Sequence, residues 1–241
     1  MRIRSGSRAR SVAVTVALTA TGLLAAPGMA VADDGHTAAV SRVAAEPGAS
    51  AAPVEVSRDG SHVHTKASDA KASKTLEVDY QVQETGYWCG PAATRIALSA
   101  RVAPPSQADL AAQLGTTENG TDDISQVTGV LNANLGGSDY ESKYMPEDPP
   151  SQEQKDQLWK DVVGGIDADF PLVTNIVAPP GNQPPGYPPD QTIYHYFTVI
   201  GYDDANKTVL IADPASFSGN QIYWLPFEQL ASLIPPKGYA A

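Results

Sequence analysis

Hydrophobic and polar positions along this chain fall into two patterns. Helix-forming segments bounded by capping residues come first, and strand-like apolar or alternating runs follow. The first pattern predicts helices over residues 89 to about 100, from Ser106 as an N-cap, over 122–135 and over 151–166. The third helix is expected to end at Gly136 and Gly137.

The strand pattern covers residues 75–82, 170–177, 195–202 and 208–212. The last two runs flank a short polar turn, residues 203–207, and therefore predict an antiparallel hairpin. Helices followed by a mostly antiparallel sheet indicate an α+β fold, with the N-terminal helices packed on the sheet.

A proline- and glycine-rich stretch, residues 179–189, separates the strand at 170–177 from the hairpin. Proline lacks the backbone N–H that a β-ladder needs, so this stretch predicts a long open loop. Because it leads directly into the strand that begins at His195, we interpret it as one wall of a substrate cleft.

The N-terminal region has the pattern of an export signal. Arg2, Arg4, Arg8 and Arg10 precede a short apolar run over residues 11–26 and the small-x-small sequence at 30–32. We expect cleavage after residue 32 and a secreted chain, because threonines interrupt the run and Pro27 ends it, which disfavours the alternative of a membrane anchor. No later segment is apolar enough to span a bilayer.

Residues 33–75 contain no aromatic side chains and are expected to be a disordered linker, with a propeptide as the alternative. Residues 76–241 are long enough for a single domain, which we expect to act as a monomer.

Charge and composition exclude several functions. The formal net charge is −11, and removal of the signal-peptide arginines makes it more negative, which disfavours nucleic acid as a partner. A zinc site needs three or four ligands, whereas residues 76–241 hold one cysteine and one histidine. There is also no phosphate loop or dinucleotide fingerprint. We therefore expect neither a metal nor a cofactor.

Cys89 is the only cysteine of the chain and lies where a helix is predicted to begin, directly before Gly90 and Pro91. The positive end of a helix dipole favours the thiolate, which is the nucleophilic form of cysteine. The alternative is a buried structural cysteine, because free cysteines are among the most buried residues.

His195 begins one strand of the predicted hairpin, and Asp213 follows the end of the other. An antiparallel hairpin brings these two ends side by side, and a histidine held by a carboxylate is the base that a cysteine nucleophile needs. Taken alone, each residue fits an ordinary structural role better: a strand histidine for His195 and the start of a turn for Asp213.

Three motifs carry a family resemblance: Gln-x5-Cys-Gly-Pro-Ala-Ala, His-Tyr-x-x-Val-Ile-Gly-Tyr-Asp and Ile-Ala-Asp-Pro. Together they resemble the papain-like cysteine peptidases that process bacteriocin leaders at double-glycine sites, especially the secreted, stand-alone members. The resemblance spans about residues 76–232 and implies the papain-like fold. It also implies roles for four residues: Cys89 as nucleophile, His195 as general base, Asp213 as the group that orients His195, and Gln83 as an oxyanion donor.

The resemblance thus implies a secreted cysteine peptidase that acts on a peptide or protein substrate. Two alternatives remain: a cell-wall peptide amidase or transpeptidase with the same cysteine and histidine, and a catalytically silent peptide-binding module of the same fold. The transporter-linked members of the group carry membrane and nucleotide-binding parts that this sequence lacks.

Overall fold

A single antiparallel sheet forms the centre of the described residues in a computed structural model, which describes residues 72–241. Its strands are β1 (Ser73–Thr75), β2 (Ser142–Tyr144), β3 (Leu172–Ala178), β4 (Ile193–Asp203), β5 (Thr208–Ala212), β6 (Ile222–Pro226) and β7 (Gly238–Ala240). The helices are α1 (Cys89–Ser99), α2 (Gln107–Leu114), α3 (Ile124–Leu135), α4 (Gln152–Asp167) and α5 (Phe227–Leu233).

The strands run antiparallel to their neighbours in the order β2-β7-β3-β4-β5-β6, and β1 pairs with the end of β4. The longest ladder joins β3 to β4 and runs from Leu172 opposite Val199 to Ala178 opposite Ile193. Because β4 also pairs with β5, it lies in the middle of the sheet. The α+β class predicted from the sequence is therefore confirmed.

Capping residues set the ends of the helices, and the sequence predicts two of them, Ser106 and Gly136. The Ser106 hydroxyl accepts a hydrogen bond from the Asp109 N–H at the start of α2. Asp123 and Ser151 each take part in a capping box, at α3 and α4 respectively. Gly136 ends α3 in the left-handed conformation, with φ 71°. The four predicted helices agree with α1 to α4 to within one or two residues.

Alternate side chains of the central strands pack on opposite faces of the sheet, as the strand geometry requires. Val173 and Tyr196 pack with the apolar faces of α1, α2 and α3. Leu172, Ile176 and Phe197 pack instead with α4 and α5. Helices thus cover both faces of the sheet. The first three helices, α1 to α3, lie on one face, and α1 carries Cys89.

The structure contains several elements that the sequence pattern did not predict. Strands β2, β6 and β7 are short, and α5 is only two turns long, so none gives a strong periodic signal. The strand predicted over residues 75–82 is reduced to β1 and one further ladder bond, from the Leu76 N–H to the Ile200 carbonyl.

The predicted signal peptide and residues 33–71 of the linker predicted over residues 33–75 lie outside the described residues. The last residues of that predicted linker, Ser73–Thr75, form β1. Within residues 72–241, no helix is both long and apolar enough to cross a membrane.

Candidate active site

Cys89 is the first residue of α1 and carries a free thiol that is partly exposed. The next position, residue 90, must be glycine, because the loop of residues 117–122 lies directly against the start of the helix. A Cβ at Gly90 would lie 2.3 Å from the Thr121 Oγ1 atom, closer than any side chain allows. No acidic side chain occupies the first turn of α1, so the positive end of the helix dipole acts on the thiol without competition from its own helix.

His195 and Asp213 come together, but the hairpin that joins them is not regular. A bulge between Val199 and Gly201 shifts the β4–β5 register by one residue and places Thr198 opposite Ala212, so Asp213 follows on the face of β4 that carries His195. The His195 Nε2 atom lies 2.8 Å from the Asp213 Oδ1 atom, and both side chains are buried. Since Nε2 is bound to the carboxylate, Nδ1 is the ring nitrogen that remains for the Cys89 thiol, which lines the same cleft as His195.

The three side chains shift one another's protonation. Burial raises the pKa of the Cys89 thiol, but the hydrogen bond and the charge of His195, together with the backbone N–H groups of Tyr196 and Gly90, bring it below its ordinary value. Burial lowers the pKa of His195, and the Asp213 carboxylate and the Cys89 sulfur raise it to about 10. These opposite shifts favour a thiolate beside an imidazolium at neutral pH.

The Asp213 carboxylate has further partners that sequence reasoning did not find. Its Oδ2 atom accepts hydrogen bonds from the hydroxyls of Tyr187 and Tyr223, each at 2.8 Å. Its Oδ1 atom also accepts one from the Ala215 N–H at 3.0 Å. Burial raises the pKa of Asp213, but the charge of His195 and these donors bring it below the usual range. Asp213 therefore remains ionised although it is buried.

Tyr187 belongs to the proline-rich loop between β3 and β4, which gives this loop a different role from the one predicted. No residue of 179–189 lines the cleft beside Cys89. The loop instead packs against the turn after Asp213: a Cβ at Gly186 would lie 2.3 Å from the Phe217 carbonyl oxygen. It supports the far side of the Asp213 carboxylate.

Gln83 is held near the same turn by its backbone, since its N–H donates to the Pro214 carbonyl at 2.8 Å. Its side-chain Nε2 donates to the Thr85 carbonyl at 2.8 Å, which fixes the orientation of the amide and leaves a second N–H free. The Oε1 atom is buried without a hydrogen-bond partner among the described residues. The role of Gln83 as an oxyanion donor stays a prediction.

A cleft of about 210 Å³ opens over Cys89 and His195. Its other lining residues are Asn119, Gly120, Thr121, Asp122, Asn175, Tyr194, Tyr196 and Lys237. The hydroxyl of Tyr196 joins the two walls, because it accepts from the Asn175 amide at 2.8 Å and donates to the Thr121 carbonyl at 3.2 Å.

The mouth of this cleft carries groups of different chemistry. The Tyr194 side chain is 68% exposed there, and Asp122 and Lys237 bring charges of opposite sign. Such a cleft can hold an extended chain with polar backbone groups against the thiol. Within residues 72–241, no group of three or more His, Cys, Asp or Glu side chains is placed to hold a metal ion.

Comparison with protein families gives a match between residues 75–234 and the model of the Peptidase_C39 like family. Comparison with curated proteins gives no match.

Solved structures similar to this chain share little sequence with it. A putative C39-like peptidase from Bacillus anthracis is 14% identical, with a TM-score of 0.49, over 70% of this chain and 96% of its own. The peptidase domain of Streptococcus ComA, a bi-functional ABC transporter involved in a quorum sensing pathway, is 16% identical, with a TM-score of 0.42, over 69% of this chain and 95% of its own. A double glycine motif protease from an AMS/PCAT transporter, solved in complex with the leader peptide, is 15% identical, with a TM-score of 0.44, over 69% of this chain and 91% of its own.

Proposed function

This chain belongs to the Peptidase_C39 like family, and from that premise we propose that it is a secreted cysteine peptidase in which Cys89, His195 and Asp213 form the catalytic triad. The observation that carries the proposal is the buried contact between the His195 Nε2 and Asp213 Oδ1 atoms at 2.8 Å, with Cys89 and the same histidine lining one cleft. A thiolate and an imidazolium held together are the reactants that cysteine-dependent hydrolysis requires.

The first half of the reaction forms an acyl-enzyme. The Cys89 thiolate attacks the carbonyl carbon of the scissile peptide, a C–S bond forms, and the carbonyl π electrons move to oxygen. His195 then donates its proton to the leaving nitrogen as the C–N bond breaks and the carbonyl re-forms. The amine product leaves, and the acyl group remains on sulfur as a thioester.

The second half regenerates the enzyme. The neutral His195 takes a proton from a water molecule, whose oxygen attacks the thioester carbonyl. The C–S bond breaks, the carboxylic acid product leaves, and thiolate and imidazolium are restored. Asp213 remains a carboxylate throughout and holds the ring of His195 in one orientation.

We assign the stabilisation of the oxyanion to the free N–H of the Gln83 amide and to the Cys89 backbone N–H. The fixed orientation of the Gln83 amide supports this role, because a donor that is already oriented needs no rearrangement as charge develops. One such donor lowers the barrier by about 2.7–4 kcal/mol in other enzymes.

The substrate we propose is a peptide or protein segment that binds in extended form in the cleft. One wall is formed by residues 119–122 and the other by Asn175 and Tyr194. The AMS/PCAT transporter protease was solved with a leader peptide, which motivates a peptide substrate here as well. A cell-wall amidase of similar chemistry commonly orients its histidine with a second histidine, whereas His195 is the only histidine in residues 72–241.

Secretion follows in this proposal from cleavage of the N-terminal segment after residue 32. N-terminal sequencing of the protein recovered from the culture medium should begin at Asp33. Recovery of the chain with its first 32 residues, in the membrane fraction, would contradict this part of the proposal.

The experiment that tests the proposed activity is cleavage of a diverse peptide library by the purified protein and by Cys89→Ser. We expect defined cleavage sites with the native protein and none with the variant, because a serine hydroxyl is not ionised by an imidazole at neutral pH. Equal cleavage by both proteins would assign the activity to a contaminant or to another site. Absence of cleavage together with an ordinary thiol reactivity would indicate a binding module.

A further inference from the structure

All the acceptor positions of the Asp213 carboxylate are filled by protein groups. An ionised carboxylate offers about four lone-pair sites, and this one accepts from the His195 ring, the Ala215 N–H, and the hydroxyls of Tyr187 and Tyr223. The side chain of Asp213 is completely buried. Its hydration shell has therefore been replaced by donors at fixed positions, two of which are tyrosines.

The two tyrosines come from different elements, and each is fixed by packing of its own. The Tyr187 ring packs edge-on against Phe217 at a centroid distance of 4.6 Å, in a loop held close to the Asp213 turn. Tyr223 lies in β6, where it pairs with Ile211 of β5. Since both hydroxyls reach the same Oδ2 atom from independent supports, they determine where Oδ2 lies, and Oδ1 must then face His195.

Protonation in this cluster also depends on the tyrosines. Burial and the charge of Asp213 raise the pKa of Tyr187 and of Tyr223 well above the usual value, so both hydroxyls stay protonated and can only donate to the carboxylate oxygen. The same causes raise the pKa of Tyr80 to about 12, and its hydroxyl donates to the main-chain carbonyl of Asp213 at 2.8 Å. His195 on β4 is the cationic group that faces the carboxylate.

We propose that Tyr187 and Tyr223 are a pair of positioning residues for the peptidase reaction, whose hydroxyls hold the buried Asp213 carboxylate in its charged form and turned toward His195. The inference rests on the proposed function and adds to it two residues that touch neither the substrate cleft nor the thiol.

Loss of these hydroxyls has a definite chemical consequence. Without them, Oδ2 becomes a buried anionic oxygen with no donor, and the protein relieves that cost by binding a proton there. A neutral Asp213 no longer stabilises the imidazolium of His195, so the pKa of His195 falls. The pKa of the Cys89 thiol rises in turn, because it depends on that positive charge. The thiolate–imidazolium pair then exists over a narrower pH range.

The test uses the single variants Tyr187→Phe and Tyr223→Phe and the double variant. Cys89 is the only cysteine, so its alkylation rate as a function of pH gives the apparent pKa of one thiol directly. We expect that pKa to rise by about one pH unit in each single variant and further in the double variant. In peptide cleavage we expect kcat to fall roughly tenfold, with KM changed less than about twofold, because neither ring lines the cleft.

The matched control is Tyr239→Phe. The Tyr239 ring is also buried, and its hydroxyl also donates to a carboxylate, Oδ2 of Asp161, at 2.8 Å. Loss of the Tyr239 hydroxyl should lower the melting temperature without changing the dependence of the Cys89 alkylation rate on pH. Tyr223 lies on the edge strand β6 and is only partly buried, so Tyr223→Phe retains the test if Tyr187→Phe fails to fold.

The outcomes separate the two proposals. A native thiol with an ordinary pKa would overturn the proposed function itself. A low pKa in the native protein that neither tyrosine variant changes, or that both variants lower further, would overturn the positioning role while leaving the proposed function in place. A rise in both variants, absent from Tyr239→Phe, would establish the role.

Discussion

The two ends of the Cys89–His195–Asp213 arrangement are built in opposite ways. Cys89 is partly exposed at the start of a helix, beside an open cleft. Asp213 is completely buried, and protein donors fill its acceptor sites. The reacting atom must be reachable by substrate and free to change partners, whereas the orienting group must neither move nor lose its charge. Substitutions at the two ends should therefore separate activity from stability.

The largest expected effect on activity is at the cysteine end. Cys89→Ala should reduce kcat/KM by at least about a thousandfold, because no other nucleophile is available to form the acyl-enzyme. Its free energy of unfolding should change by less than about 1 kcal/mol, since the side chain is small and partly exposed. Peptide cleavage and thermal melting measure the two quantities. A variant that keeps a tenth of the native activity would refute the assignment of the nucleophile.

At the other end, Asp213→Ala should reduce stability more, and activity less, than Cys89→Ala does. It leaves the His195 ring, two tyrosine hydroxyls and the Ala215 N–H without their common acceptor. We expect a loss of about 3–5 kcal/mol in the free energy of unfolding, measured by urea denaturation. We also expect kcat/KM of this variant to remain roughly a hundredfold higher than that of Cys89→Ala, because the orienting group acts through His195. Full activity would mean that another group orients the imidazole.

A smaller effect is expected between the two ends, where the loop of residues 117–122 meets α1. Gly90→Ala places a methyl group 2.3 Å from Thr121 Oγ1, so the loop must move away from the helix start. We expect a loss of about 1–3 kcal/mol in stability and a raised KM, since this loop forms one wall of the cleft.

Gly86→Ala is the matched control, because a Cβ at Gly86 has no heavy atom within 4 Å. It should change neither stability nor KM. If the two substitutions behave alike, close packing of the loop on α1 is not what requires glycine at position 90.

The smallest expected effect comes from the removal of residues 33–71. Chains that start at Asp33 and at Ala72 should cleave a small peptide at the same initial rate, at matched active-site concentration. The segment has no aromatic anchor and nearly balanced charge, so it has little with which to offset the entropy cost of occupying a cleft. A severalfold faster truncated enzyme would instead identify it as an inhibitory propeptide.

Local signals explain what could be predicted from the sequence. The helix that begins at Cys89 follows from Pro91 and the helix formers after it, and Asp123 and Ser151 cap their helices as short-range motifs. The short turn of the β4–β5 hairpin predicts that the ends with His195 and Asp213 lie near each other. The bulge between Val199 and Gly201, which brings both side chains to one face, has no such local signal.

The tyrosines around Asp213 lacked such signals. Tyr187 lies 26 residues before Asp213 in a proline-rich loop, and its contact depends on how that loop folds back over the sheet. Tyr223 is on a short edge strand without clear alternation of polar and apolar residues. The position of the loop before His195 predicts a cleft wall, but Gly186 packs against Phe217, and no residue of 179–189 lines the cleft beside Cys89.

The pH dependence of Cys89 alkylation, compared between the native protein and His195→Ala, tests the central claim most directly. The account predicts that the native thiol reacts with an apparent pKa well below about 8.5, and that His195→Ala returns it to that value or above, since burial then acts without the imidazolium. An unshifted native profile, or a low pKa that persists in His195→Ala, would contradict the claim that Cys89 and His195 form a thiolate–imidazolium pair.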